Sequence, residues 1–254
     1  MIVDKNKRLD YLQAMGIQVW LQKSNSVSNS YASEQSESTS VQVSDQPKLD
    51  AVRIEFEKRD SPVADKKCDV NWSDLKQQVA ACTTCSLHET RKQTVFGSGS
   101  YNASWMVIGE APGASEDQQG KPFVGRAGQL LTEMLKALGL QRDEVFIANI
   151  LKCRPPQNRD PRPIEVDSCE GFLRQQVALL KPKIILAAGR VAAQNLLKTD
   201  APLARLRGKV HYYQDIPVIV VYHPAYLLRS PLEKRKAWVD LLLALRTFDG
   251  ERGN

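Results

Sequence analysis

Nowhere in its 254 residues does this chain contain an apolar run near the roughly 20 residues that a membrane-spanning helix needs, which excludes an integral helical membrane protein. Its first residues, MIVDKNKRLD, lack an apolar secretory core, so the expected location is the cytoplasm. In a reducing compartment the five cysteines do not read as a disulfide framework and point instead to metal or redox chemistry. There is no internal repeat and no strong charge bias. Lys and Arg number 35 against 29 Asp and Glu, a net charge of +6. With 42% hydrophobic and 25% charged residues, the composition is that of an ordinary globular chain long enough to bury a real core.

The small basic excess is unevenly placed. Residues 1–67 carry 10 basic and 10 acidic side chains, leaving 25 against 19 for the rest. A polyanion such as nucleic acid is compatible with that balance but is not required by it. Residues 24–47 hold nine serines and almost nothing able to pack, so 24–67 reads as a flexible linker, within which AVRIEF (51–56) could pair briefly as a strand. Ahead of it, residues 1–23 include Leu9, Leu12 and Met15 at helical spacing, then Gly16 and the apolar Ile17, Val19 and Trp20. A short apolar peptide on a polar tether is expected to be a docking motif, with folding back onto the core as the alternative. The expected organisation is a disordered N-terminal extension before one domain at 68–254.

Within that domain apolar strands alternate with helical stretches. Trp105–Gly109, Val145–Asn149, Lys183–Ala188 and Pro217–Tyr222 read as buried strands. Gln129–Leu138, Ile164–Leu180, Val191–Leu197 and Pro231–Arg246 read as helices. This pattern predicts an α/β fold with a mainly parallel sheet covered on both faces. In such sheets ligands bind beyond the carboxyl ends of the strands. Three of these strands end in or run into Glu110, Asn149 and His223, and a fourth into Gly189-Arg190. A carboxylate, an amide and an imidazole are thereby expected to converge on one crevice.

Four cysteines form a second constellation. Cys82 and Cys85 make a CxxC, and Cys153 and Cys169 follow much later, sixteen positions apart. Four thiolates suit a tetrahedral zinc or an iron–sulfur cluster, and no histidine stands at a zinc-finger offset. Spacing alone leaves both open. Cys68 falls outside both pairs and reads as a free thiol.

Three segments, GEAPGASEDQQGKPFVGRAGQLL (109–131), NILKCRPPQNRDP (149–161) and HPAYLLR (223–229), resemble the family 4 uracil-DNA glycosylases over about residues 69–247. The resemblance implies a three-layer α/β/α fold with a central mainly parallel sheet. It also implies a [4Fe–4S] cluster held by Cys82, Cys85, Cys153 and Cys169, and hydrolysis of the N-glycosidic bond of uracil in single- or double-stranded DNA. The pocket residues carried over are Gly109, Glu110, Ala111, Phe123, Asn149 and His223. Phe123 would stack on the flipped base and Asn149 would bond uracil O4 and N3–H. His223 would stabilise the departing anion at O2, and the role of Glu110 stays open. Ala111 occupies the position at which some members of the superfamily carry an aspartate.

Arg154, Arg159 and Arg162 are expected to face DNA phosphates, with Arg205, Arg207 and Lys209 as a second group. The segment with Tyr226, Leu227, Leu228 and Arg229 matches the loop that enters the duplex. The cluster is expected to pin the Cys153–Cys169 loop, since this hydrolysis needs no electron transfer. RLDYLQAMGIQVW (8–20) is similar to the N-terminal peptide of the DNA polymerase III psi subunit, which implies docking on the chi subunit. A monomer acting on nucleoid DNA is the expected form. Two alternatives remain: a broader deaminated-base or mismatch glycosylase, and a non-enzymatic iron–sulfur DNA-binding protein. A polymerase does not fit, because no metal-binding aspartate set is apparent.

Overall fold

The structure is a computed structural model, and it describes residues 71–252 together with Gln13 and Gly16. These residues belong to one compact unit. Apart from Gln13 and Gly16, the expected docking peptide lies outside the described residues. So do the linker, the AVRIEF segment and Cys68.

In chain order the elements are α1 (Trp72–Ala81), α2 (Leu87–Thr90), β1 (Ser98–Gly99), β2 (Trp105–Gly109), α3 (Ala114–Gln119), α4 (Arg126–Ala137), β3 (Phe146–Asn149), α5 (Pro163–Leu180), β4 (Ile184–Ala188), α6 (Arg190–Leu197), α7 (Leu203–Leu206), β5 (Val210–Tyr213), β6 (Ile216–Val221), α8 (Pro224–Arg229) and α9 (Lys234–Arg252). The six strands form one sheet in the order β1-β3-β2-β4-β6-β5. The inner four are parallel, and β1 and β5 close the edges antiparallel. The sequence reading placed all four parallel strands within a residue or so. It missed both edge strands, which are short or half-exposed.

Side chains alternate across the pleat, so each parallel strand feeds two cores. Met106, Ile108, Phe146, Ala148, Ile185 and Val218 face one layer, where Leu75 and Val79 of α1, Leu173 and Val177 of α5, and Ala192 and Leu196 of α6 pack. Trp105, Val107, Ile147, Leu186, Ile219 and Val221 face the other, against Leu131 and Leu135 of α4, Leu227 of α8, and Leu241 and Ala244 of α9. This is the expected α/β/α arrangement. Because both faces are covered, β2, β4 and all but the first residue of β6 are buried. Each buried Val, Leu or Ile contributes ~1.5–3 kcal/mol. Among the described residues no helix is long and apolar enough to cross a membrane.

Three features aim the functional side chains. The four parallel strands all end at the same edge of the sheet. The β2–β3 pairing runs in register to Gly109 and Asn149. It continues past the strands, because Ile150 N–H donates to Gly109 O (2.9 Å) and Leu151 N–H to Glu110 O (3.0 Å). The loops that follow β2 and β3 therefore leave the sheet side by side.

Candidate active site

Beyond that edge lies a crevice of about 450 Å³, a size suited to one small ligand group. Glu110 and Ala111 line it from the turn after β2, Phe123 from the connection between α3 and α4, Asn149 from the end of β3, and His223 and Tyr226 from the start of α8. The structure thus gathers Glu110, Ala111, Phe123, Asn149 and His223 in one place. Gly109 is not itself part of the lining but abuts two residues that are. A Cβ there would stand 2.4 Å from Asn149 Oδ1 and 2.7 Å from the Phe123 ring, so only glycine admits both neighbours.

Asn149 is 2% exposed, yet its Oδ1 has no hydrogen-bond partner. An unpaired buried carbonyl costs ~1–3 kcal/mol, and a cost of that kind at the wall of a crevice marks a group kept open for a ligand. The Phe123 ring lies beside it, its centroid 5.6 Å from the His223 ring with the planes 30° apart. His223 caps α8, and its Nδ1 accepts from Ala225 N–H at 3.1 Å. Burial lowers its pKa to about 4, helped by Arg229 and opposed by Glu116. The imidazole is therefore neutral near pH 7. With Nδ1 accepting, the ring proton resides on Nε2, leaving that nitrogen a donor.

Burial also raises the Glu110 pKa, as does the negative charge of Asp160, while Arg190 partly offsets both. Arg190 in turn holds Asp160 (Nη2 to Oδ2, 2.6 Å). The crevice thus presents a flat apolar face, an open amide, a neutral imidazole donor and a partly desolvated carboxylate. Such a set can sandwich a planar heterocycle, read a donor–acceptor edge and stabilise charge that develops as a bond breaks.

The cationic and wedge candidates separate. Arg162 and Arg205 are exposed, and Arg154 on the loop after β3 donates to Asn158 Oδ1 (2.8 Å). Arg159 and Arg229 both line the crevice. The Arg159 guanidinium is held by buried Glu165 at 2.5 and 2.9 Å, so it is a fixed charge.

Arg207 corrects the expectation of a phosphate contact. Its side chain is 11% exposed, bonds Asp240 through Nε (2.6 Å) and Nη2 (2.5 Å), and lies 4.0 Å over the Tyr222 ring. Its charge is directed inward. Leu227 corrects the wedge expectation in the same way. It is 1% exposed in the core beneath α8, leaving Tyr226, Leu228 and Arg229 on the accessible side.

Behind the loop that follows Asn149, Cys82, Cys85, Cys153 and Cys169 line a common small cavity with Arg91 and Lys152. All four are free thiols. Burial pushes the Cys169 thiol up to about 11 and raises Cys153 as well. Two cations oppose that trend. Arg91 donates to Cys153 Sγ at 3.1 Å, and buried Lys152 acts on both thiols. Among the described residues no three His, Cys, Asp or Glu side chains stand ready to hold a single metal ion. Four sulfur donors beside two compensating cations nonetheless fit a soft, thiolate-bound metal group.

Sequence reasoning did not reach Lys152, whose Nζ donates to Asn149 O and to Gln176 Oε1, both at 2.7 Å. Nor did it reach Glu116, which accepts from Gly113, Val124 and Gly125 N–H and so ties two walls of the crevice together. Glu116 stands three residues after Gly113, where a capping box has its glutamate, but glycine lacks the capping side chain, so only half of that signal is present. For Lys152 the only cue is a lysine set between Ile150-Leu151 and Cys153.

The sequence profile of the Uracil DNA glycosylase superfamily matches residues 96–244. The chain is 44% identical over 166 residues to the "Type-4 uracil-DNA glycosylase" of Archaeoglobus fulgidus, an alignment covering 62% of this chain and 83% of that one. It is 42% identical over 177 residues to the protein of the same name from Pyrobaculum aerophilum, covering 66% and 90%. With the Thermotoga maritima protein of that name the identity is 40% over 158 residues, covering 61% and 82%.

Proposed function

The chain belongs to the uracil DNA glycosylase superfamily and, within it, to the type-4 uracil-DNA glycosylases, and from that membership we infer a DNA-repair hydrolase that excises uracil from DNA. The observation that carries the reading into this crevice is the orphaned, buried Oδ1 of Asn149. Its amide can accept from uracil N3–H while donating to O4. Cytosine reverses both partners, so a fixed amide rejects it by leaving buried groups unpaired.

The target base leaves the duplex stack at a cost of roughly a few kcal/mol, which stacking on Phe123 helps to offset. The bond between C1′ and N1 then breaks, its electron pair passing to the base. Positive charge grows on the sugar and negative charge on uracil, much of it at O2. The neutral His223 Nε2–H donates to that oxygen, strengthening its hold as charge develops. Removing such a donor typically costs about 100- to 1,000-fold in rate. Water adds at C1′, its oxygen staying on the sugar and its proton passing through solvent to the departed uracil anion, so that an abasic site and neutral uracil result. Glu110, as a carboxylate, is suited to orient that water or to face the sugar cation. Of the arginines expected to meet phosphates, Arg154, Arg162, Arg205 and Arg229 stay available, while Tyr226 and Leu228 could support the space that the flipped base leaves.

Cys82, Cys85, Cys153 and Cys169 would hold a [4Fe–4S] cluster, supported by four thiols set around one cavity and by the cationic Arg91 and Lys152 beside them. Bound there, it supplies a cross-link between α1, α5 and the loop after Asn149 rather than a step of the hydrolysis. Docking of residues 1–23 on the polymerase III chi subunit rests on residues 8–20 alone and is tested by a pull-down with that peptide.

The deciding experiment is a glycosylase assay on uracil in a single strand and in U·A and U·G pairs, with cytosine as control. Release of uracil but not cytosine is the expected result, and no release from any uracil substrate would overturn the reading. Iron content and absorbance near 400 nm test the cluster separately.

A further inference from the structure

Phe123, the expected stacking platform, has a backbone φ of +52°, where an aromatic L-residue is strained. Such a conformation survives only when its surroundings over-determine it, and here two charged side chains grip the turn from opposite sides. On the amide side, Glu116 Oε1 accepts from Val124 N–H (2.9 Å) and Gly125 N–H (3.2 Å). On the carbonyl side, Arg142 Nη2 donates to Pro122 O (2.8 Å) and Phe123 O (2.9 Å). Its Nη1 reaches Thr132 Oγ1 (3.1 Å) and, at the longer 3.4 Å, Gly128 O. The fit is close, because a Cβ on Gly128 would stand 1.7 Å from the Phe123 carbonyl oxygen.

Arg142 lies on the connection between α4 and β3, outside all three motifs and away from the crevice lining. Among the described residues it makes no salt bridge, although it is partly buried. A guanidinium partly withdrawn from water and bonded chiefly to backbone carbonyls makes no ion pair in exchange, with only the Glu116 carboxylate favouring its charge from a distance. What it gains is the placement of the turn that bears Phe123.

We propose that Arg142 is a positioning residue for base recognition: its guanidinium, bonded to the Pro122 and Phe123 carbonyls, holds the Phe123 ring in its stacking position beside Asn149. The inference rests on Phe123 receiving the flipped base. Arg142 touches neither base nor sugar, so its effect falls on how tightly the base is held more than on how fast the bond breaks. Lysine at this position keeps the charge but not the planar fork, in which one nitrogen meets the Pro122 and Phe123 carbonyls while the other reaches Thr132 and Gly128.

The test is a cycle of wild type, Arg142→Met, Phe123→Ala and the double variant, assayed for kcat and KM on a uracil oligonucleotide and for inhibition by free uracil. Aromatic stacking on a base is worth ~1–3 kcal/mol, about 5- to 150-fold. Arg142→Met is therefore expected to raise KM and the uracil inhibition constant together by about tenfold, with kcat changed less than about threefold. In the Phe123→Ala background the same substitution should add almost nothing. If the two effects multiply instead, or if Arg142→Met leaves both KM and uracil inhibition unchanged, the proposal fails. Should Arg142→Met not fold, Arg142→Lys decides by the same cycle, a smaller effect coupled to Phe123 supporting the proposal and an uncoupled one refuting it. Absence of uracil release by the wild type would instead defeat the functional reading beneath it.

Discussion

Asn149 ends β3 and Lys152 stands three residues on in the loop that follows, both buried, and their polar atoms are treated in opposite ways. Asn149 lines the crevice, and its buried Oδ1 has no partner. Lys152 Nζ, on the cysteine side, is bonded to Asn149 O and Gln176 Oε1, and Gln176 Nε2 continues to Phe96 O at 2.8 Å. Arg207 and Asp240 form a second closed group elsewhere in the molecule. Closed groups hold the fold, whereas an open one in a crevice gives up some stability so that a ligand can complete it. Substitutions on the two sides should therefore fail differently, one class losing stability and the other losing chemistry.

The largest effect belongs to a closed group. Arg207→Ala would leave buried Asp240 without its counter-charge, and breaking such a pair costs ~3–5 kcal/mol. Chemical denaturation should show that loss, while kcat/KM per folded molecule stays near wild type. His223→Ala is the converse, with kcat down about 100- to 1,000-fold and a stability loss of only ~1 kcal/mol from the missing helix cap. Gln176→Leu would strip one partner each from Lys152 and Phe96 O, destabilising by ~1–3 kcal/mol with less effect on turnover. Reversal of any of these pairings, activity lost where stability should be or the other way about, would break the comparison.

At neutral pH the smallest difference, yet the most informative across pH, concerns Glu110 and His223. The Glu110 pKa is raised above its usual 4.5, so its carboxylate is lost as pH falls through that higher value. His223 stays neutral until about 4. The acid limb of kcat/KM should therefore report Glu110 first. In Glu110→Gln that limb should vanish from a lower overall rate, leaving only a fall near pH 4. A limb unchanged in Glu110→Gln would show that another group sets it.

What the sequence made legible follows the same division. Apolar runs of strand length alternating with helical stretches read as buried parallel strands, and their ends located Glu110, Asn149 and His223. Side-chain direction was not legible. Arg207 read as surface charge because its partner Asp240 lies 33 residues downstream. Leu227 read as a wedge because whether α8 turns it inward depends on tertiary packing. Arg142 carried no signal at all, since its partners are mostly backbone carbonyls 14 to 20 residues earlier. The edge strands escaped because Ser98–Gly99 is two residues long and Val210–Tyr213 is only half covered.

The central claim is that the open amide of Asn149 is the uracil reader, and Asn149→Ala tests it most directly. Uracil release and thermal unfolding should be measured on the same preparation. The account predicts kcat/KM lower by at least about 100-fold, because two base contacts are lost together, with a melting temperature within a few degrees of wild type. Uracil release near the wild-type rate, or a loss of activity matched by a collapse in stability, would contradict it.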